Sequence, residues 1–502
     1  MSFLPAIPWS DSRTITALRS PRKLVRELLA GLVVAIALIP EAISFSIIAG
    51  VDPRLGLFSS FVMAVAIAVL GGRAAMITAA TGAIALVIAP VAREYGTDYL
   101  IATVILGGLI QIVMAAAGVA KLMRFIPRSV MVGFVNSLAI LIFTAQLPYL
   151  FGVPWEVYPL VVLGLIIMIG MPRLTTVVPA PLVAVVVVTT VVVVMAIAVP
   201  NVGDQGELPE SLPALLWPDV PLNLETLGII APFALAMAVV GILESLLTAK
   251  LVDDITDTPS SKTRESYGQG AANILSGLFG GMGGCAMIGQ TMINVKVSGA
   301  RTRISTFAAG VFLLVLVLAL GDLVAIIPMA ALVAVMIMVS VATFDWHSVQ
   351  WGTLKRMPLG ETVVMVATVA AVVITHNLAI GVGLGVIVAM VIFARRVAHF
   401  ATVDRTVLDA PDGSRYALYR VDGELFFASS NDLTTQFRYR DDPPSVVIDL
   451  SQSHIWDAST VAALDAIVTK YERLGTSVDI VDMNAESHAL HTRLAGHLGE
   501  GH

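Results

Sequence analysis

The chain has 502 residues, of which 57% are hydrophobic and 13% charged, with a formal net charge of −6. Soluble globular chains carry roughly 25% charged residues, so this composition excludes a protein surrounded by water along its whole length. The single cysteine excludes an internal disulfide and a cysteine-rich metal site.

Residues 1–26 form a polar leader with Arg13, Arg19, Arg22, Lys23 and Arg26. The apolar run that follows contains Pro40 and Glu41, and no small-residue cleavage site stands out after it. It reads as a first membrane span, not a removable signal. A spanning helix needs about 20 mostly apolar residues. Runs of that kind, some shorter or broken, are expected at 28–49, 54–71, 82–92, 99–120, 129–147, 157–171, 177–199, 227–249, 267–280, 289–299, 304–321, 328–343, 361–375 and 378–394.

Charge tests that count. With the leader inside, Lys and Arg should fall in alternate loops. They do so at Arg73; Lys121, Arg124 and Arg128; Arg173; Lys250, Lys262 and Arg264; Lys296, Arg301 and Arg303; Lys355 and Arg356; Arg395 and Arg396. The opposite loops hold only Arg54 and Arg93. The outer segment 200–226 has Asp204, Glu207, Glu210, Asp219 and Glu225 but no basic residue. The even count predicts a multi-pass cell-membrane protein with both termini cytoplasmic.

Near residue 400 the apolar runs shorten. SVVIDLS at 445–451 reads as a buried strand, and 459–474 repeats apolar residues at helical spacing before Gly475. SVDIVDM at 477–483 reads as another strand. Strand, helix and strand predict a small α/β domain over 408–502 with a partly parallel sheet. Asp457 and Ser459 stand just before its helix, where capping explains them better than a phosphorylation switch.

The apolar region looks doubled, as repeat one at 27–199 and repeat two at 227–397. Glu41 and Glu244 lie about 200 residues apart. Each is followed by a short Gly-interrupted segment, TAATGA at 78–83 and GGMGGCAMIG at 280–289. Seven spans per repeat would insert the second repeat upside down. Inverted repeats with matching broken helices mark secondary transporters, and the breaks mark the binding site. The competing reading is tight helix packing through small residues.

Two half-helix N-termini, at Gly82–Ala83–Ile84 and Gly289–Gln290–Thr291, would offer free backbone N–H groups and positive dipole ends to an anion. Glu41 and Glu244 are ionisable residues deep in apolar spans, the setting of ion and proton pathways. A carboxyl taken out of water holds its proton more readily, which suits a proton carrier. Thr248, one turn after Glu244, either completes a small cation site or bonds back to its own helix. Phe45, one turn after Glu41, either walls the site or belongs to the core. Cys285 reads as a packing residue, although a thiol at a helix N-terminus would be reactive when wetted. No nucleotide-binding P-loop, hydrolase triad, metal cluster or cofactor site is evident. Nothing suggests an enzyme or a nucleic-acid partner.

At these residues the chain resembles the sulfate permease (SulP) family of anion transporters. The motifs are PEAISFSIIAGVDPRLGLF at 40–58, VGILES at 240–245, GQGAANI at 268–274 and NVKVSGART at 294–302. The tail is similar to the STAS domain, related to anti-sigma factor antagonists. The resemblance implies an all-α membrane domain at 27–397 with fourteen spans, as seven-plus-seven inverted repeats split into core and gate. It also implies an elevator-like movement, a homodimer, and a cytoplasmic protein partner for the STAS domain. It places substrate at Glu41, Phe45, Gly82, Ala83, Ala286, Met287, Ile288, Gly289 and Gln290, and proton or cation coupling at Glu41, Glu244 and Thr248.

Two departures shape the expected function. Many relatives read GSFSRT where this chain has AMIGQT at 286–291, and the position of Glu41 is commonly Gln. Losing a base and gaining an acid fits proton-coupled symport of a small dicarboxylate or related anion across the bilayer. Sodium-coupled transport of bicarbonate or sulfate is the alternative, with Ile288 in place of a hydroxyl ligand weighing against sodium. A nucleobase-type symporter, an anion channel and a membrane sensor are the remaining rivals.

Overall fold

The computed structural model describes residues 12–122, 126–174, 179–398, 401–410 and 414–497. The first residues of the leader and Arg124 of the basic loops lie outside them. The chain forms two compact units, Met1–Val386 and Ile387–His502.

Among the described residues, which leave out positions 177 and 178 of the seventh run, every expected apolar run carries a helix. We label these α1 (Pro21–Ala49), α2 (Pro53–Leu70), α3 (Gly82–Tyr95), α4 (Thr97–Ala116), α5 (Arg128–Thr144), α6 (Val157–Leu174) and α7 (Ala180–Val194). They continue with α8 (Leu224–Thr256), α9 (Lys262–Leu278), α10 (Ile288–Met292), α11 (Arg303–Ala319), α12 (Met329–Thr343) and α13 (Leu359–Thr375). Helix α14 (Leu378–Ala398) crosses from the first unit into the second. Seven of them (α1, α2, α4, α5, α6, α8 and α14) are long and apolar enough to cross a membrane. Helix α1 starts inside the polar leader, where Pro21 presets the first turn. The run at 99–120 is interrupted at Gly118, whose φ of 78° ends α4 before a short helix at Val119–Leu122. Helix α10 is a single turn that continues as a π turn, Ile293–Val297.

Close helix packing is built on small residues. Where α4 crosses α9, a Cβ on Gly108 would lie 2.6 Å from the Gly270 carbonyl, and one on Gly270 would lie 2.7 Å from the Gly108 carbonyl. The two Gly-rich breaks pair as strands β1 (Thr78–Ala79) and β2 (Cys285–Ala286), antiparallel, with Thr78 opposite Ala286 and Ala79 opposite Cys285. Met287 extends the ladder by donating its N–H to the Ile77 carbonyl at 2.9 Å. Gly284 makes this approach possible, since a Cβ there would sit 1.9 Å from the Ala79 oxygen.

The second unit carries β3 (Thr402–Asp409), β4 (Arg415–Leu425), α15 (Phe427–Leu433), β5 (Ser445–Ile455), α16 (Ala458–Glu472), β6 (Ser477–Val481) and α17 (Ala485–Leu494). The sheet order is β3-β4-β5-β6, antiparallel in the first pair and parallel in the others. The strand–helix–strand expectation is met by β5, α16 and β6, and Asp457 caps α16 by accepting from the Thr460 N–H. Strand β5 is not buried on both faces. Its exposure alternates, with Val446, Ile448 and Leu450 turned into a core shared with Val461, Leu464, Ile467 and Tyr471 of α16.

Candidate functional site

The β1–β2 pair places the starts of α3 and α10 at opposite ends of one short ladder, with Thr81 and Met287 as their N-cap residues. Thr81 accepts from the Ile84 N–H, so Gly82 and Ala83 keep first-turn amides without an intrahelical partner. At α10 the corresponding amides belong to Ile288, Gly289 and Gln290. Gly289 is exposed, and open space surrounds the place where its Cβ would be, whereas Ala83, Ala286 and Met287 are buried. The Phe45 ring packs directly on Gly82, where an added Cβ would lie 2.9 Å from Cε1.

Glu41 and Glu244 are each 7% exposed, and each is held by a different part of the second break. Gln290 Nε2 donates to Glu41 Oε1 at 2.9 Å. The Cys285 thiol donates to Glu244 Oε2 at 2.9 Å and lies 3.1 Å from Thr81 Oγ1. Thr248 donates to the Glu244 main-chain carbonyl at 2.8 Å, so its hydroxyl proton is engaged within its own helix and not at the carboxylate. Cys285 is fully buried, which removes the wetted thiol that its position before a helix suggested.

Helix α9 turns a polar face toward both breaks. Gln269 donates to Thr78 Oγ1 at 3.0 Å, Asn273 binds Gly284, and Ser276 Oγ accepts from the Gly283 N–H at 3.2 Å. All three are buried. Their spacing at i, i+4 and i+7, among the small and apolar residues of the second half of the helix, is the signal that would have revealed them. Helix α9 thus ties both breaks to one rigid element. A cavity of about 710 Å³ lies elsewhere, among Arg54, Glu207, Glu210 and Asp322.

The sulfate permease family model matches residues 24–162 and 155–368, and the STAS domain model matches 408–498. The "Putative sulfate transporter YbaR" of Bacillus subtilis is 50% identical over 470 residues, 94% of this chain and 97% of that protein. The chain belongs to the sulfate permease family. It is thus a multi-pass membrane member of an anion-transporter family, not an enzyme, with a STAS domain at its C-terminal end. Another family relative, the bicarbonate transporter BicA of Picosynechococcus sp., is 26% identical over 89% of this chain and 86% of its own. In fold, the chain superposes on the transmembrane domain of a cyanobacterial BicA with a TM-score of 0.64, at 25% identity, covering 74% of this chain and 98% of that one. The SLC26A9 structure gives 0.78 at 15% identity, over 94% and 86%.

Proposed function

We propose that this sulfate permease family member is a secondary active transporter that takes up a small carboxylate or related anion together with a proton. The observation that carries the reading is the 2.9 Å contact between Glu41 and Gln290 at the start of α10. The acid is hydrogen-bonded to the first turn of α10, and there is no Lys or Arg among the candidate residues. An anion entering beside Glu41 meets repulsion unless a proton enters with it. The two breaks, paired through β1 and β2, support a seven-plus-seven inverted repeat of fourteen spans, with the anion held between α3 and α10. We assign both termini to the cytoplasm, the movement to an elevator-like displacement of the core, the assembly to a homodimer, and regulation to the STAS domain.

Sodium-coupled bicarbonate transport is the second reading, and the bicarbonate transporter BicA among the relatives favours its substrate. The engagement of Thr248 with its own helix and of Glu244 with Cys285 weighs against a cation between them. Uptake of labelled sulfate, bicarbonate and succinate into proteoliposomes, with and without proton and sodium gradients, tests both. An inward proton gradient should drive accumulation, and Glu41→Gln should abolish that stimulation. Accumulation driven by sodium alone, or unchanged pH dependence in Glu41→Gln, rejects the proposal.

A further inference from the structure

Helix α1 has 29 residues, about 44 Å at 1.5 Å per residue, against an apolar bilayer core of about 30 Å. Its basic end therefore lies at head-group depth, where Lys and Arg keep their charge in water. That end borders a cavity of about 360 Å³, lined by Thr16, Lys23, Arg26, Glu27, Arg301 and Thr302 among others. Its cations come from two places in the chain, the start of α1 and the turn before α11. None of the three makes an ion pair among the described residues. The one carboxylate in the lining, Glu27, is fully buried and taken up by the main chain. The Arg301 N–H donates to its Oε1 at 2.9 Å and the Thr302 N–H to its Oε2 at 3.2 Å. Asp253, near the end of α8, is held by Arg73 and Lys262 at 3.0 and 2.7 Å.

We propose that this cavity binds a phosphate group, carried by an anionic lipid or by the free ion. Arg301 is fixed by Nη1 bonds to the Val295 and Ala300 carbonyls at 2.6 and 2.8 Å, which leaves Nε and Nη2 for a ligand. Arg meets phosphate oxygens through two N–H groups at once, and Lys meets them as a point charge. Thr302 is 4% exposed, and its hydroxyl accepts from the Ile304 N–H while donating to no group among the described residues. Thr302 also caps the start of α11, and the first turn of α1 holds no acid and no side-chain cap at Ser20. Two positive helix ends thus add to a basic cavity, and a bound phosphate offsets both. Basic pockets between helix ends at a membrane face take phosphate head groups. Val25 and Leu29, beside Lys23 and Arg26 on α1, are 53% and 56% exposed, an apolar track for acyl chains that favours the lipid. The phosphate would tie the helix that bears Glu41 to the turn between α10 and α11. This site shares no residue with the anion site and does not depend on the proton-coupled reading.

Titration of short-chain phosphatidylglycerol, and separately of inorganic phosphate, into the purified full chain in neutral detergent tests the site through the melting temperature. Phosphatidylglycerol should raise it, and phosphatidylcholine should not. In the pair Lys23→Gln and Arg26→Gln the concentration required should rise about thirtyfold. The control pair Arg395→Gln and Arg396→Gln, which removes equal charge from α14, should keep the wild-type response. If the first pair does not fold, Arg26→Gln alone should raise the requirement about fivefold. A response lost in the first pair supports the site; phosphatidylglycerol as its cause names a lipid head group, and inorganic phosphate names the free ion. No response to either probe, a response that survives in the first pair, or an equal loss in the control pair overturns the proposal.

Discussion

Asn273 of α9 pairs with both backbone groups of Gly284, accepting from its N–H at 2.9 Å and donating to its carbonyl at 3.1 Å. This is the exchange that a neighbouring strand residue would make, here supplied by a helix side chain that also donates to Gln111 Oε1 at 3.0 Å. Asn273→Ala strips partners from buried groups, at a cost of about 1–3 kcal/mol for each one left unsatisfied. The purified protein should lose thermal stability, and its anion affinity should fall as the β1–β2 crossing loosens. Unchanged melting and affinity would show that the crossing holds without this strut.

Gly82 is a matter of space. A methyl there would lie 2.9 Å from Phe45 Cε1 and 3.1 Å from Ile142 Cδ1, closer than packed carbons tolerate. Overpacking of this kind costs about 1–3 kcal/mol. Gly82→Ala should raise KM for the transported anion, and adding Phe45→Leu should recover part of the loss, because contacting sites are not additive. Equal KM values in the single and double variants would place the conflict elsewhere.

Accessibility should divide two neighbours of the same break. Cys285 is buried between Glu244 and Thr81, so a small hydrophilic maleimide should not label native protein. Gly289 is exposed with open space beside it, so Gly289→Cys in a Cys285→Ala background should label quickly. The transported anion should slow that reaction, and an anion that is not transported should leave it alone. Rapid labelling of Cys285 in folded wild type would contradict the packing seen here.

In the STAS domain the hydroxyls of Tyr419 and Tyr471 both donate to Asp442 Oδ2, at 2.6 and 2.5 Å, and Arg405 Nε donates to Asp442 Oδ1 at 2.7 Å. Burial, and then the Asp442 carboxylate, hold both tyrosines above the ordinary value of 10.0. A tyrosine whose folded value is raised binds its proton more tightly than the unfolded chain does. Its contribution is therefore complete below about pH 10 and declines as pH rises beyond it. Alkaline unfolding of this domain, followed by hydrogen exchange in the full chain, should begin above that point. Tyr471→Phe should lower its stability by about 1.5–3 kcal/mol, the range for a hydrogen bond to a charged group, with a smaller alkaline slope.

Composition and charge order already specified a membrane chain, its apolar runs and a separate tail, because burial in lipid and topology act on residue type and are written locally. The Gly-interrupted segments at 78–83 and 280–289 marked the two breaks for the same reason, since glycine is a local signal. The sequence could not say which carboxylate meets which partner. Glu41 and Gln290 are 249 residues apart, and Cys285 and Glu244 are 41 apart. Nor did local pattern separate the two readings of Thr248, or show that Asn273 completes the backbone bonding of Gly284. Those pairings depend on two short strands meeting across the fold, and each buried polar group takes whichever partner that meeting brings within reach. The partner is decided by distance in space, and only the tertiary structure sets it.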